Sequence, residues 1–523
     1  MGSSGSKNFS NWSENLNVKQ KIAYPKSDED IINIIKRAKR NRECVRVVGA
    51  GHSIPPCVCG PKDKKIKLIS LSKYCLYPDN ITINHEKMIV TVCAGYSLSQ
   101  LYQELNKYRY FLDTQPASAA FNIAGLVCTP VHGARLGASH LADSLVAIRL
   151  IDENSEIVIK THMDPDFSYY QLSMGAFGII TSCSFKIRKC ENFIMKTLTF
   201  PVLSDLFDTF IKHCISKCLS NSEDEEPVEY AQCFFDLHAN KVLCLHWLEE
   251  KIDSREIKKY VEPKSVHKHF FLEQFLRTVD DNYRESPWTL SVLNKLARRT
   301  IIQNVHHDFS TNRDMFWLSS AVRAYFMEYY IPIYSEYEQN VQHICKESIV
   351  DYDDNSSSKS IDSTNLANTK ISLDAFYKSI NVVVKAHKRF KKANKLFQPD
   401  LPCEFRFCLS SSCALSPIYS PTKIVYLAIE VPCLANSLTL EKTDSQLNSD
   451  FFEFYSQIEN GWRALGGKPH WGKAFGFYSE LQIGKTEIFS DTKIFDRKTK
   501  MLIQNLASPV FMNDFIKRLI ETD

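Results

Sequence analysis

The sequence predicts an α+β chain of two or three domains, and three observations carry that reading. At 523 residues the chain exceeds the size at which one hydrophobic core stops growing and chains divide. Over the first 190 residues or so, short β-branched runs alternate with helical patterns, the mark of an α/β unit. After that the character changes. Residues 191–345 mix aromatic-rich strands with helices. The composition, 44% hydrophobic and 24% charged, is ordinary for a globular protein. A net charge of +4 over this length gives no basis for a nucleic-acid partner, which calls for a strongly basic domain.

In chain order, residues 27–42 (SDEDIINIIKRAKRNR) read as a capped helix: Ser27 caps, acids fill the first turn and bases close the last. A strand follows at Val45–Val48, and then the stretch Val47–Pro56, VVGAGHSIPP. Its Gly49-Ala50-Gly51 resembles the start of a dinucleotide fingerprint. That fingerprint needs a third glycine inside a helix opening on the pyrophosphate. Here Ser53 and Ile54 stand in its place, and Pro55 and Pro56 oppose a helix start. The stretch is therefore a strand, a glycine turn and a histidine held on that turn. Further strands are expected at Ile66–Ile69 and Met88–Val92, with a helix near Ser97–Asn106.

Residues 121–149 are rich in small side chains, with Gly125, Gly133 and Gly137, and small residues let backbone approach a ligand closely. Leu145–Ile151 and Ile157–Ile159 form a predicted hairpin around Asp152-Glu153-Asn154-Ser155. Gly175-Ala176-Phe177-Gly178 leads into a strand over Ile179–Ile187. Residues 222–227 (SEDEEP) read as an exposed acidic loop. The polar segment 351–372 reads as a disordered insertion, and the basic run Lys385–Lys395 as a solvated helix face or, as the lesser reading, a patch for an anionic membrane or nucleic acid. No internal repeat is visible.

The 17 cysteines are scattered, which suits a reducing compartment where thiols act as small buried hydrophobes. Cys57-Val58-Cys59 lacks the second pair that a metal site needs, so no metal is expected. No signal peptide is expected, and no apolar run reaches about 18 residues. The expected location is intracellular, either cytoplasmic or peripherally membrane-associated. Met1-Gly2-Ser3-Ser4-Gly5-Ser6 fits an N-myristoylation pattern and equally a flexible Ser/Gly-rich start.

Two C-terminal stretches carry candidate chemistry. In Glu404-Phe405-Arg406, strand alternation places the carboxylate and the guanidinium on one face, where they pair at a surface or orient a polyol. In Gly466-Gly467-Lys468-Pro469-His470-Trp471-Gly472-Lys473, a double glycine and a proline set a turn that projects His470, Trp471 and Lys473. These side chains read either as a site or as a packed Trp beside a hydrogen-bonded His.

Taken together, FSNW (Phe9–Trp12), VVGAGHS, NIAGLVCTPVHGA, GAFGIIT, MEYYIP (Met327–Pro332), EFRF with LSP, and GGKPHWGK resemble one family. It is the aldonolactone oxidoreductases of the vanillyl-alcohol-oxidase flavoprotein superfamily, which include L-gulonolactone oxidase, D-arabinono-1,4-lactone oxidase and plant galactonolactone dehydrogenase. The resemblance implies an FAD-binding α/β domain over 1–190, completed by about 490–523, and a substrate (cap) domain with an antiparallel sheet over 191–489. It implies FAD bonded covalently to His52, with Gly49, Ala50, Gly51 and Ser53 around the pyrophosphate. Asn122, Ala124, Gly125, Thr129, His132, Gly133, Gly175, Gly178 and Ile180 would line the cofactor.

Glu404, Arg406, His470 and Lys473 fall where the family contacts substrate. Oxidation of a sugar 1,4-lactone (L-gulono-, L-galactono- or D-arabinono-) at a carbinol carbon would pass hydride to flavin N5 and yield ascorbate or an analogue. Electrons would then go to O2 or to a cytochrome such as cytochrome c. Arg406 and Lys473 would stabilise charge, Glu404 would orient Arg406, and His470 would accept the proton. The same fold acting on another polyol or hydroxy acid, or serving as a non-catalytic flavin-binding interaction protein, stays open. Three departures bear on substrate choice. Pro130-Val131-His132-Gly133-Ala134-Arg135 replaces a T-H-G-S-G or T-H-N-T-G motif, Ser410-Ser411-Ser412-Cys413 replaces acidic residues, and the family's final D-P-x-G-x-F-x-N segment is hard to find in Phe495–Asn505.

Overall fold

The computed structural model describes residues 9–250, 324–335, 371–434, 445–477 and 497–520, apart from short breaks at 14, 61–62, 64, 77, 117, 190–191, 221–227, 238–239, 398 and 400. The acidic loop at 222–227, the N-terminal 1–6 and the polar insertion up to 370 lie outside the described residues.

The first unit contains β1 (Ile22–Ala23), α1 (Asp28–Asn41), β2 (Cys44–Val47), β3 (Ile66–Ile69), β4 (Ile81–Asn84), β5 (Ile89–Cys93), α2 (Leu98–Leu105), α3 (Ile123–Cys128), β6 (Leu145–Ile151), β7 (Ile157–Thr161) and β8 (Ile179–Lys186). In α1 the Ser27 side chain accepts from the Asp30 N–H, and Ile31, Ile35 and Ala38 form the buried stripe. In α2, Ser97 and Gln100 close a reciprocal capping box. Strands β1, β3 and β2 pair in parallel, in that order. The order β7-β6-β8-β5-β4 makes a second sheet, antiparallel throughout. The β6–β7 hairpin turns where Asp152 Oδ1 accepts from the Asn154 and Glu156 N–H groups and Ser155 takes a left-handed φ of 67°.

The second unit contains β9 (Asn192–Pro201), α4 (Asp205–Leu219), β10 (Glu229–Asp236), β11 (Lys241–Glu250), β12 (Ala324–Ser335), α5 (Asp374–Lys392), β13 (Cys403–Leu409), β14 (Ile424–Leu434), α6 (Ser445–Arg463) and β15 (Lys468–Pro469). Among the described residues its sheet runs β9-β11-β10-β13-β14-β12-β15, with every pairing antiparallel. Helices α4, α5 and α6 pack on this sheet. Alternation along β13 explains both of its faces. Phe405 meets Phe376 of α5, with ring centroids 5.6 Å apart, and Phe376 meets Phe207 of α4 at 6.0 Å. Glu404 and Arg406 therefore point the other way, into a cavity.

The basic run is amphipathic rather than uniformly exposed. His387 and Phe390 are buried, while Lys395 pairs with Asp450 at 3.0 Å and Glu453 at 2.9 Å.

The chain ends on the first unit, through α7 (Arg497–Leu506) and α8 (Asp514–Ile520). The Asn513 side-chain amide donates to the Pro56 carbonyl at 2.7 Å. Arg46, 5% exposed, donates to the carbonyls of Cys57, Met174, Gly175 and Phe511 at 2.5–3.2 Å. A guanidinium has five donors in a rigid fork. Here they knit the strand, the segment after His52, the Gly175 turn and the C-terminal segment into one wall.

Candidate active site

A cavity of ≈ 420 Å³ runs between the two units, within the size range of small-molecule and cofactor sites. Its glycine-rich end starts where β2 stops. Gly51 takes φ +73°, which turns the chain so that its carbonyl accepts from the Trp12 N–H at 2.8 Å. His52 then lies stacked on Trp12, centroids 5.0 Å apart, with the edge of Phe121 at 4.6 Å. The Ile54 N–H donates to the Gly472 carbonyl at 3.1 Å, so the His52 turn and the HWGK turn are joined directly. Burial, helped by the Lys473 charge, lowers His52 to about 4, so it is a neutral imidazole.

The polar end is a row of carboxylates. Glu404 on β13, Glu430 on β14 and Glu328 on β12 are direct cross-strand partners, so all three project from one face. Glu404 pairs with Arg406 and accepts from the Gln232 side-chain amide at 2.8 Å. Glu430 holds Lys473 at 3.1 Å. Glu328 meets His132 Nε2 at 2.5 Å. Lys473 Nζ also lies 4.2 Å from the Phe326 ring centroid. Three acids thus face three bases in a buried site.

Protonation follows from that arrangement. Burial lifts Glu430 to about 7; Glu328 and Glu404 add to the rise, and Lys473 and Arg406 oppose it. Burial pulls Glu328 upward too, but His132, His470 and Lys473 hold it well below the usual carboxylate range. Burial opposes a charged His132, and Cys408 and Glu328 outweigh it, raising His132 to about 10. Arg406 Nε is buried on the cavity wall and has no hydrogen-bond partner among the described residues, the kind of buried donor that calls for a partner.

Of the residues expected from sequence, His52, Gly49, Ala50, Gly51, Ser53, Asn122, Ala124, Gly125, Thr129, His132, Gly175, Gly178, Ile180, Glu404, Arg406, His470 and Lys473 all lie on this wall. Gly133 does not: a Cβ there would sit 2.5 Å from the Gln115 carbonyl oxygen, so this glycine serves loop packing. His470 needs a second correction. Its Nδ1 accepts from the Gly472 N–H at 3.0 Å, and burial with nearby cations lowers it to about 3. An imidazole that resists a proton so strongly is a poor acceptor.

Sequence reasoning missed Glu430 and Glu328 as site residues. Each is a lone acid in an otherwise apolar strand, AIEVP and FMEYY, and a carboxylate there needs a partner. Two of the three departures also have structural answers, while the third, in Phe495–Asn505, begins outside the described residues. Arg135 turns to Asp113 at 2.9 Å, and Ser411 and Ser412 both donate to Asp143 of the first unit.

The glycine-rich end fits a flavin nucleotide. Gly125 at the start of α3 faces open space, and a Cβ on Gly49 would press to 3.0 Å from Asn122 Oδ1. Gly175 takes φ +71°. Small residues here leave backbone free to meet a phosphate or a ring.

In fold the chain is a two-domain flavoprotein of the vanillyl-alcohol-oxidase type. It superposes on cholesterol oxidase from Brevibacterium sterolicum with a TM-score of 0.70 and 15% identity, covering 98% of this chain and 96% of that one. Residues 20–160 match the FAD binding domain family, and residues 216–495 match the D-arabinono-1,4-lactone oxidase family. The chain belongs to this second family. Curated relatives include an L-gulono-1,4-lactone dehydrogenase of Mycobacterium tuberculosis, 27% identical over 174 residues, 33% of this chain and 39% of the relative. A D-arabinono-1,4-lactone oxidase of Eremothecium gossypii is 23% identical over 206 residues, 38% of each chain. One of Saccharomyces cerevisiae is 26% identical over 208 residues, 38% of this chain and 39% of the relative. The chain thus spans about two fifths of the length of the curated relatives it matches. Among the described residues, no helix is long and apolar enough to cross a membrane.

Proposed function

We propose that this protein oxidises a sugar 1,4-lactone at a carbinol carbon, giving ascorbate or a close analogue, with electrons passed on to O2 or a cytochrome. The observation that carries this reading is the cross-strand row Glu404–Glu430–Glu328, with Arg406 and Lys473 at the same face of a glycine-lined cavity. The glycine turn Gly49–Ser53, Asn122, Ala124, Gly125, Thr129, Gly175, Gly178 and Ile180 would hold FAD, and the neutral His52 imidazole would carry the covalent link. When bound, FAD supplies the two-electron acceptor for the carbinol carbon.

The chain's own residues do the rest. Arg406 and Lys473 bind the lactone oxygens and stabilise negative charge as it develops. Glu404 fixes the Arg406 guanidinium. Glu430, lifted to about 7, takes the hydroxyl proton near neutral pH. His132 and Glu328 form a buried pair that sets the charge balance behind it. His470 positions the HWGK turn through its Gly472 hydrogen bond. The division near residue 190, with 490–523 returning to the FAD domain, belongs to the same reading and is supported by the Asn513 and Phe511 contacts. The N-terminal glycine and the membrane surface stay outside this proposal.

The test is anaerobic bleaching of the flavin by L-gulono-, L-galactono- and D-arabinono-1,4-lactone, with open polyols as controls. Bleaching by a lactone and not by polyols is the expected result, and readmitted air then separates oxidase from dehydrogenase. A flavin reducible by dithionite but by no lactone would overturn the reading.

A further inference from the structure

A second cluster lies away from the cavity, where α4 crosses the start of the β10–β11 hairpin. His213 on α4, Glu229 on β10 and His246 on β11 converge on one point. The two Nε2 atoms lie 2.7 and 2.8 Å from the same carboxylate oxygen, Glu229 Oε2, and the three donor atoms all fall within 4.8 Å of one another. We propose that this cluster is a binding site for a divalent transition-metal ion of the zinc class.

Chemistry and placement support it. Two neutral imidazoles and one carboxylate make a donor set for Zn2+, with a further position left to water. Glu229 is 7% exposed and His246 8%, so the carboxylate and one ligand are preset by the sheet. The His213 side chain is 43% exposed and sits on the helix, which leaves an approach from solvent and freedom to adjust. Lys217, one helical turn beyond His213, lies 3.1 Å from the other oxygen, Oε1. The carboxylate is thereby divided: Oε1 serves the lysine, and Oε2 faces both imidazoles. Bound metal replaces two N–H···O contacts to Oε2 with three coordinate bonds, releasing whatever protons the ligand nitrogens had shared.

The site also has leverage. The Glu229 carbonyl accepts from the Leu136 N–H at 2.9 Å, and the Ala231 N–H donates to the Ala134 carbonyl at 2.8 Å. The start of β10 thus holds the loop that carries His132 into the cavity. A metal joining α4 to that strand end stiffens the seam between the two units.

The experiment uses the full FAD-loaded chain, stripped with a chelator, desalted and titrated with Zn2+ alone. The expected result is one zinc retained per chain and a raised thermal midpoint. His213→Ala, a surface change, weakens retention by more than the roughly 10–100-fold that losing an outer partner of a metal ligand costs, and it abolishes the rise in midpoint. His213→Cys, which keeps a zinc ligand, restores both. Failure of the wild-type chain to retain zinc, or equal retention by His213→Ala, would overturn the proposal and leave the cluster as an ion-pair network.

Discussion

Glu430 is the residue on which the proposed chemistry can be tested most sharply. The perturbation is Glu430→Gln, which keeps shape and polarity but cannot accept a proton. In the wild type the carboxylate is raised to about 7, and its deprotonated form is the competent one. Turnover is therefore lost as pH falls through about 7, dropping tenfold per unit below it and levelling above. A positioned general base contributes roughly 10²–10⁴-fold, about 3–5 kcal/mol of barrier at 1.36 kcal/mol per decade. The Gln variant should lose that factor at pH 8 and show no acid limb near 7. The assay is single-turnover anaerobic flavin reduction by lactone across pH, normalised to flavin content. Lys473 loses its partner in this variant, so Lys473→Met serves as a control. There Glu430 loses the cation 3.1 Å away and the acid limb moves to higher pH. A Gln variant that retains wild-type rates, or that keeps the limb at about 7, refutes the assignment.

Three further outcomes follow from the geometry. His52→Ala should release its flavin on acid precipitation, whereas the wild type keeps it; flavin still fixed to the variant would end the covalent assignment. Arg406→Lys should lower kcat by roughly 10²–10³-fold, as removal of one charge-stabilising donor does, because a point charge cannot replace the planar fork paired with Glu404; steady-state kinetics at pH 8 checks it. Finally, burial depresses His140 to about 4 and His470 to about 3, well below the 6.5 or so of the unfolded chain. Their contribution to stability is complete above pH 6.5 and is lost as pH falls, at up to about 2.7 kcal/mol per pH unit down to about 4, where the His140 share ends, and at about half that down to about 3 for His470. Unfolding at pH 5 should take up protons accordingly, and a His140→Asn variant should take up about one fewer.

Much of the local structure was legible in the chain because its causes are local. Ser27 followed by three acids caps α1 wherever that helix packs, and Asp152 to Ser155 form a turn from their own hydrogen bonds. Boundaries moved by a residue or two, since the end of a strand depends on its neighbour. The expected Met88–Val92 became Ile89–Cys93, paired with Ser182–Lys186. The ordered set of short motifs was enough to indicate the family, the flavin and the wall residues from His52 to Lys473.

What the tertiary structure alone decided is the electrostatics of the site. Glu328, Glu404 and Glu430 are scattered along the sequence, and only the β12–β14–β13 register sets them side by side. Burial, with Glu328 and Glu404 brought alongside by that register, raises Glu430 to about 7, and enclosure makes His470 too weak a base for the role its motif implied. Gly133 and Gly125 look alike in the sequence, yet one packs on Gln115 and the other faces open space. Likewise His213, Glu229 and His246 carry no motif, because one lies on a helix and two on strands. A residue's type is written in the chain; its protonation state depends on desolvation and on charges brought near by folding, which no local pattern records.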